Sequence, residues 1–107
     1  MKRRYFYYAG SKLTAYRTKY QNNGRLAIVL CAKDKYDGDP VFGIVTVNLD
    51  DGLELKEDEA YLDTNNCLGI DVVFMETGLA VPTGLYGRSG FCKYPLFKFD
   101  LSKLPEA

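Results

Sequence analysis

The chain reads as an α+β domain: a single antiparallel β-sheet of about five strands, flat or strongly curled, with one α-helix packed on it. Three observations predict this class. Short runs alternate apolar and polar side chains, most clearly from Tyr94 onward, where Phe97, Phe99 and Leu101 share one parity and Lys98 and Asp100 the other. An Asn-Gly pair, Asn23-Gly24, stands between two strand-like runs as a hairpin signal. One segment after Asp63 carries apolar residues at helical spacing. A helix on one face of such a sheet closes one core, and 107 residues make one domain.

The elements follow in order. Arg4 to Ala9 is aromatic and extended; Leu13 to Tyr20 sets Thr14, Tyr16, Thr18 and Tyr20 against Leu13, Ala15, Arg17 and Lys19, with Gly10-Ser11 as the break. Gln21-Asn-Asn-Gly24 predicts a type I′ turn. Arg25 to Ala32 is apolar on both parities, as a central strand buried on both faces would be. Asp34 to Pro40 is a turn by composition, with Pro40 opening the next strand, Val41 to Leu49, which should pair with the preceding one. Asp50-Asp51-Gly52 ends it, Leu53 to Glu59 is acidic and too polar for core, and Ala60 to Asp63 is a short strand or an extended lead-in.

Asp63-Thr-Asn-Asn66 offers side chains that can accept from first-turn N–H groups, so a helix of about three turns is expected to start there. Its core stripe would be Leu68, Val72, Met75 and Leu79, widened by Val73 and Phe74, with Gly78 as the stop and Pro82 preventing resumption. Val72 and Val73 are weak helix formers, which leaves a strand as the alternative. Gly84, Gly87 and Gly90 then predict a loop carrying Tyr86, Arg88, Ser89 and Phe91, anchored on the strand that follows.

An apolar content of 47% with no run of the ~18 apolar residues a membrane span needs points to a soluble globular chain. The N-terminus has the charge of a signal peptide without its apolar segment, and Cys31, Cys67 and Cys92 are odd in number and far apart. A cytoplasmic site with reduced thiols is expected, Cys31 serving as a small buried hydrophobe.

No histidine is present, which removes Ser-His and Cys-His activation and imidazole metal sites together. Ser89 lacks the spacing of a nucleophile elbow, and Gly84-x-x-Gly87-x-x-Gly90 is neither a dinucleotide fingerprint nor a P-loop. It reads as a structural turn, with an anion nest beside Arg88 as the alternative. The acids Asp34, Asp37 and Asp39, and separately Asp50, Asp51 and Glu54, lack the spacing of a calcium loop and read as solvated turns. The expectation is a non-enzyme with no catalytic residue, metal or cofactor.

Charge is uneven although its sum is zero: residues 1–25 hold seven Lys or Arg and no acid, whereas residues 33–63 hold ten acids and three lysines. Two candidate surfaces follow. Tyr86, Arg88, Ser89 and Phe91 suit hot-spot contacts with a protein, and Asp50, Asp51, Glu54, Glu57, Asp58 and Glu59 could meet a cationic groove. Alternatively Arg3, Arg4, Tyr7, Lys12, Tyr16, Arg17 and Lys19 combine cations with flat rings, the ingredients of a single-stranded nucleic-acid binder. A third reading takes exposed apolar residues as an oligomer interface.

Four motifs, Asn23-Gly-Arg-Leu-Ala27, Thr46-Val-Asn-Leu49, Asp63-Thr-Asn-Asn66 and above all Ser89-Gly-Phe-Cys-Lys-Tyr-Pro-Leu96, resemble a family of small bacterial proteins of unknown function, number 4313 among such domains. The resemblance covers most of the chain after Tyr20 and brings no catalytic residues. It implies cargo of conjugative elements and phages, and by association an inhibitor of a bacterial defence effector, anti-CRISPR or anti-restriction, whose partner would be a defence nuclease complex.

Overall fold

The computed structural model describes residues 5–32 and 41–107; the expected turn with Asp34, Asp37, Asp39 and Pro40, and the candidate cations Arg3 and Arg4, lie outside the described residues. Strands β1 (Phe6–Tyr8), β2 (Ser11–Lys19), β3 (Leu26–Ala32) and β4 (Val41–Ile44) form one antiparallel sheet in that order. β5 (Thr46–Val47), β6 (Glu59–Leu62), β7 (Ala80–Ser89) and β8 (Cys92–Phe99) form a second, in the order β5-β6-β8-β7. One helix, α1 (Ile70–Glu76), and a 3-10 turn at Leu101–Lys103 complete the described elements. The α+β class holds, but two four-stranded sheets replace the single sheet of about five.

The reason is local to Val45. The alternating run from Val41 to Leu49 is one extended stretch, yet the Val45 N–H donates to Ile28 O of the first sheet while its carbonyl accepts from Asp63 N of the second. One residue thus hands the chain from one sheet to the other. Val45 is 1% exposed, so the corner itself is part of the core.

The two sheets close on one apolar cluster to which both contribute, including Leu13, Ile28 and Leu30 from the first and Leu62, Phe97 and Phe99 from the second. Helix α1 supplies Ile70 and Phe74. Phe74 stands edge-on between Phe6 and Phe99, with ring centroids 5.9 and 5.7 Å away, an arrangement aromatic pairs favour. The helix therefore packs through Phe74 and Val73, the residues that widen its expected stripe, and not through the centre of that stripe. Leu79 is buried as expected, but Leu68, Val72 and Met75 are exposed. The helix is also two turns long, because Asp63 caps a preceding turn instead, accepting from Asn66 N at 3.1 Å, and the helix starts only after Gly69 at φ +78°. Among the described residues no helix is long and apolar enough to cross a membrane.

Two turns differ from expectation in instructive ways. Tyr20 and Arg25 are joined by Tyr20 N to Arg25 O at 2.9 Å, leaving four residues in the β2–β3 loop, of which only Gly24 has positive φ. A type I′ turn needs two such residues and occurs one hairpin earlier, where Ala9 (φ +51°) and Gly10 (φ +79°) link Tyr8 to Ser11. A left-handed alanine is strained by its Cβ. Ala9→Gly is expected to raise the unfolding free energy by about 0.5–1 kcal/mol, the relief exceeding the added chain entropy; chemical denaturation with an unchanged slope would measure it.

Candidate functional site

The glycine-rich stretch is a strand. β7 runs continuously to Ser89, with a register irregularity between Pro82 and Tyr86, and only Gly90 and Phe91 turn the chain into β8. The alternation along β8 fits its packing, Phe97 and Phe99 entering the core. The glycines serve different ends. Gly84 (φ +89°) sits at the irregularity, and Gly87 admits a close approach: a Cβ there would lie 2.5 Å from Leu49 Cδ1 and 2.7 Å from the Tyr61 ring. Sequence reasoning took bare backbone for a loop because lack of a side chain looks the same in a turn and under a packed ring.

Register decides which residues share a face of this hairpin. Gly87 pairs with Tyr94 and Ser89 with Cys92 on one face, which packs on Leu49, Tyr61 and Leu96 in a second apolar cluster. Tyr86 pairs with Pro95 and Arg88 with Lys93 on the other. That second face is bare: Tyr86 is 56% exposed, and Arg88 and Lys93 are exposed beside it. Lys93 Nζ lies 4.2 Å from the Tyr86 ring centroid, a cation–π contact. β6 pairs with β8 only from Leu96 to Lys98, so the distal half of the hairpin has no further strand alongside β8. Phe91 stands fully exposed at its tip, with Leu85 also exposed along β7. Tyr86, Arg88, Ser89 and Phe91 thus lie on one hairpin, with Ser89 on the face opposite Tyr86 and Arg88.

The acidic candidates divide. Asp51 is not a free contact but the centre of a network that fixes the loop after β5. Arg25 donates from Nη2 to Asp51 Oδ1 at 2.6 Å and to Leu53 O, and from Nη1 to Leu49 O at 2.7 Å. Asp51 Oδ1 also accepts from Leu53 N and Oδ2 from the Tyr61 hydroxyl at 2.9 Å. Burial raises the Asp51 carboxyl, but these hydrogen bonds and the Arg25 charge outweigh it and hold the group below the usual carboxylate range. The Tyr61 phenol is pushed up, by burial first and then by Asp51. Asp58 pairs with Lys98 at 3.9 Å and Glu59 Oε1 accepts from Lys56 N, so both are engaged within the fold. Asp50, Glu54 and Glu57 remain exposed, and no ion pair engages them among the described residues.

Asparagines aim Arg25 at this loop. Asn23 Nδ2 donates to Asn48 Oδ1 at 2.9 Å, Asn48 Nδ2 donates to Asn22 Oδ1 at 3.0 Å, and Asn23 Oδ1 accepts from Arg25 N at 3.1 Å. The motifs around Asn23 and Asn48, far apart in sequence, therefore meet in one arrangement that no local pattern announced.

The described basic N-terminal candidates divide between the two faces of β2. Tyr7 pairs with Lys12, and Lys12 and Tyr16 share a face of β2, with Lys12 Nζ 5.0 Å from the Tyr5 ring centroid. Arg17 and Lys19 have the opposite parity. Arg17 is consumed by the C-terminal segment: Nε donates to Leu104 O at 2.8 Å, its N–H donates to Pro105 O, its carbonyl accepts from Ala107 N, and Glu106 lies 3.5 Å from Nη1. Cys31, Cys67 and Cys92 form no disulfide and are partly buried, and burial followed by Asp63 pushes the Cys67 thiol up, away from thiolate reactivity. Among the described residues no group of three or more acids and cysteines is placed to hold a metal ion.

These features define a small two-sheet α+β domain with a hairpin that carries the fully exposed Phe91 beside exposed Tyr86, Arg88 and Lys93. The chain belongs to the family described as domain of unknown function (DUF4313), whose model matches residues 14–107. The match takes in the hairpin and the Arg25 loop and leaves β1 outside. No curated protein and no solved structure matched the chain.

Proposed function

We propose that the domain is a non-enzymatic protein-binding module that meets its partner through the β7–β8 hairpin. One observation carries the reading: Phe91 is fully exposed at the tip of an element whose bare face adds Tyr86, Arg88 and Lys93. Aromatic and Arg side chains of this kind dominate interface energies when a partner buries them, and the fold gains nothing from exposing them. Packing of Gly87 and Tyr94 on Leu49 and Tyr61 fixes the hairpin from behind, which reduces the ordering cost of binding. Within this reading the partner is a bacterial protein, and a defence nuclease complex of CRISPR or restriction type is the first to assay, because the family resemblance implies cargo of mobile elements.

Among the described residues the nucleic-acid alternative has Lys12 as the cation on the ring-bearing face of β2, and it predicts affinity that falls steeply with added salt. The hairpin reading is tested by capture from bacterial lysate after nuclease treatment. Exchange of Tyr86, Arg88 and Phe91 together for alanine should abolish retention of the partner while the thermal midpoint stays within a few degrees; undiminished retention overturns the assignment.

A further inference from the structure

Beyond any other partner, the chain carries both halves of a complementary contact, and we propose that the hairpin of one molecule docks into the Arg25-loop cleft of a second copy. The projecting half is Phe91 with Arg88 and Lys93 behind it. Those two cations are direct cross-strand partners, an arrangement that destabilises a hairpin unless an anion lies near, and neither forms an ion pair among the described residues. The receiving half is a cleft of about 480 Å³ whose apolar lining includes Leu26, Leu49, Leu53 and Leu55. A cleft of this volume falls within the range that admits a ring-sized group.

Charge identifies the occupant. Asp50, Glu54 and Glu57 line the cleft and are exposed without ion pairs, against Lys56, while Arg25 is already neutralised by Asp51. The cleft is therefore acidic, with Leu53 as the exposed apolar side chain of its lining, and the hairpin is apolar at its tip and basic behind it. The hairpin cannot fold back into its own cleft, because pairing of β8 with β6 and the packing of Gly87 on Leu49 and Tyr61 hold it in place. Exchanged reciprocally, two such contacts close a dimer. The contact covers Phe91, so a separate protein partner would have to compete with it.

The test is sedimentation of the full chain at several concentrations and salt levels. A concentration-dependent dimer is expected, weakened by added salt because its charge pairs are peripheral. Two reversal variants then decide the contact. The hairpin variant Arg88→Glu with Lys93→Glu, and the cleft variant Asp50→Lys with Glu54→Lys, should each sediment as monomers at concentrations where the wild type is dimeric. Mixed in equal amounts they should form a heterodimer, since both contacts in the mixed pair join opposite charges while each homodimer is repulsive at both. Phe91→Ser should also weaken the dimer at least tenfold. A wild type that stays monomeric at high concentration, a dimer that survives both reversals, or a mixture that stays monomeric overturns the proposal. None of these outcomes depends on whether a lysate protein is captured.

Discussion

Phe74→Ala is expected to lower the unfolding free energy by about 3–5 kcal/mol, the largest single loss in the molecule. The ring is fully buried and contacts Phe6 and Phe99 edge-on, so truncation removes its burial, leaves a cavity at the junction of helix and sheets, and breaks both aromatic pairs. For a domain of this size that is a large share of total stability and a fall in thermal midpoint of roughly 15–30 °C. Met75→Ala, one position along, should change stability by no more than about 0.5 kcal/mol, because its side chain is 42% exposed. The pair discriminates between the two possible helix faces. Equal losses, or a larger loss at Met75, would mean that the helix packs as its apolar spacing first suggests.

Asp51→Ala should be nearly as damaging, at about 2–3 kcal/mol, because it strands Arg25 at a site where the arginine side chain is only 12% exposed and leaves the Tyr61 hydroxyl without its acceptor. The effect carries a pH signature. The folded carboxyl is held below its unfolded value, so its contribution is fully present above the ordinary Asp pKa of about 3.9 and disappears as pH falls through the lower folded value. Denaturation of wild type and Asp51→Asn across pH 2–7 should therefore show a constant gap above about pH 4 that closes as pH falls below it. Parallel curves would mean that the carboxylate is not the group that ties down the loop. The consequence reaches the surface, since Asp50, Glu54 and the cleft they line depend on that loop keeping its shape.

Much of the strand content was legible because alternation is local. The run from Tyr94 to Phe99, the doubly apolar Leu26–Ala32 and the hairpin at Asn23-Gly24 each match an element of the structure. The change of sheet at Val45 was not legible, because a period-2 pattern continues unbroken through a residue that bonds to one sheet with its N–H and the other with its carbonyl. The centre of the helix stripe was not legible for a related reason, although Val73, Phe74 and Leu79 of that stripe do reach the core. Leu68, Val72 and Met75 have regular spacing, but the aromatic side chain of Phe74 fits between Phe6 and Phe99, and tertiary packing chose that side. The aromatic and cationic residues of the hairpin were legible as a cluster because they are neighbours in sequence. The roles of Asp51 and Arg17 were not, since the first answers an arginine twenty-six residues away and the second a C-terminal segment that lies eighty-seven residues on.

A photo-reactive amino acid placed at Phe91, with Thr18 on the other sheet as the control position, tests the central claim most directly when the chain is expressed in a bacterial host and irradiated. Both sites are exposed, so incorporation at either should leave the fold intact. The account expects a discrete covalent adduct with another protein from position 91 and none from position 18, whereas an adduct of twice the chain mass would instead report the self-contact. Absence of any heteromeric adduct from position 91, or equal adducts from both positions, would contradict the hairpin as the binding surface.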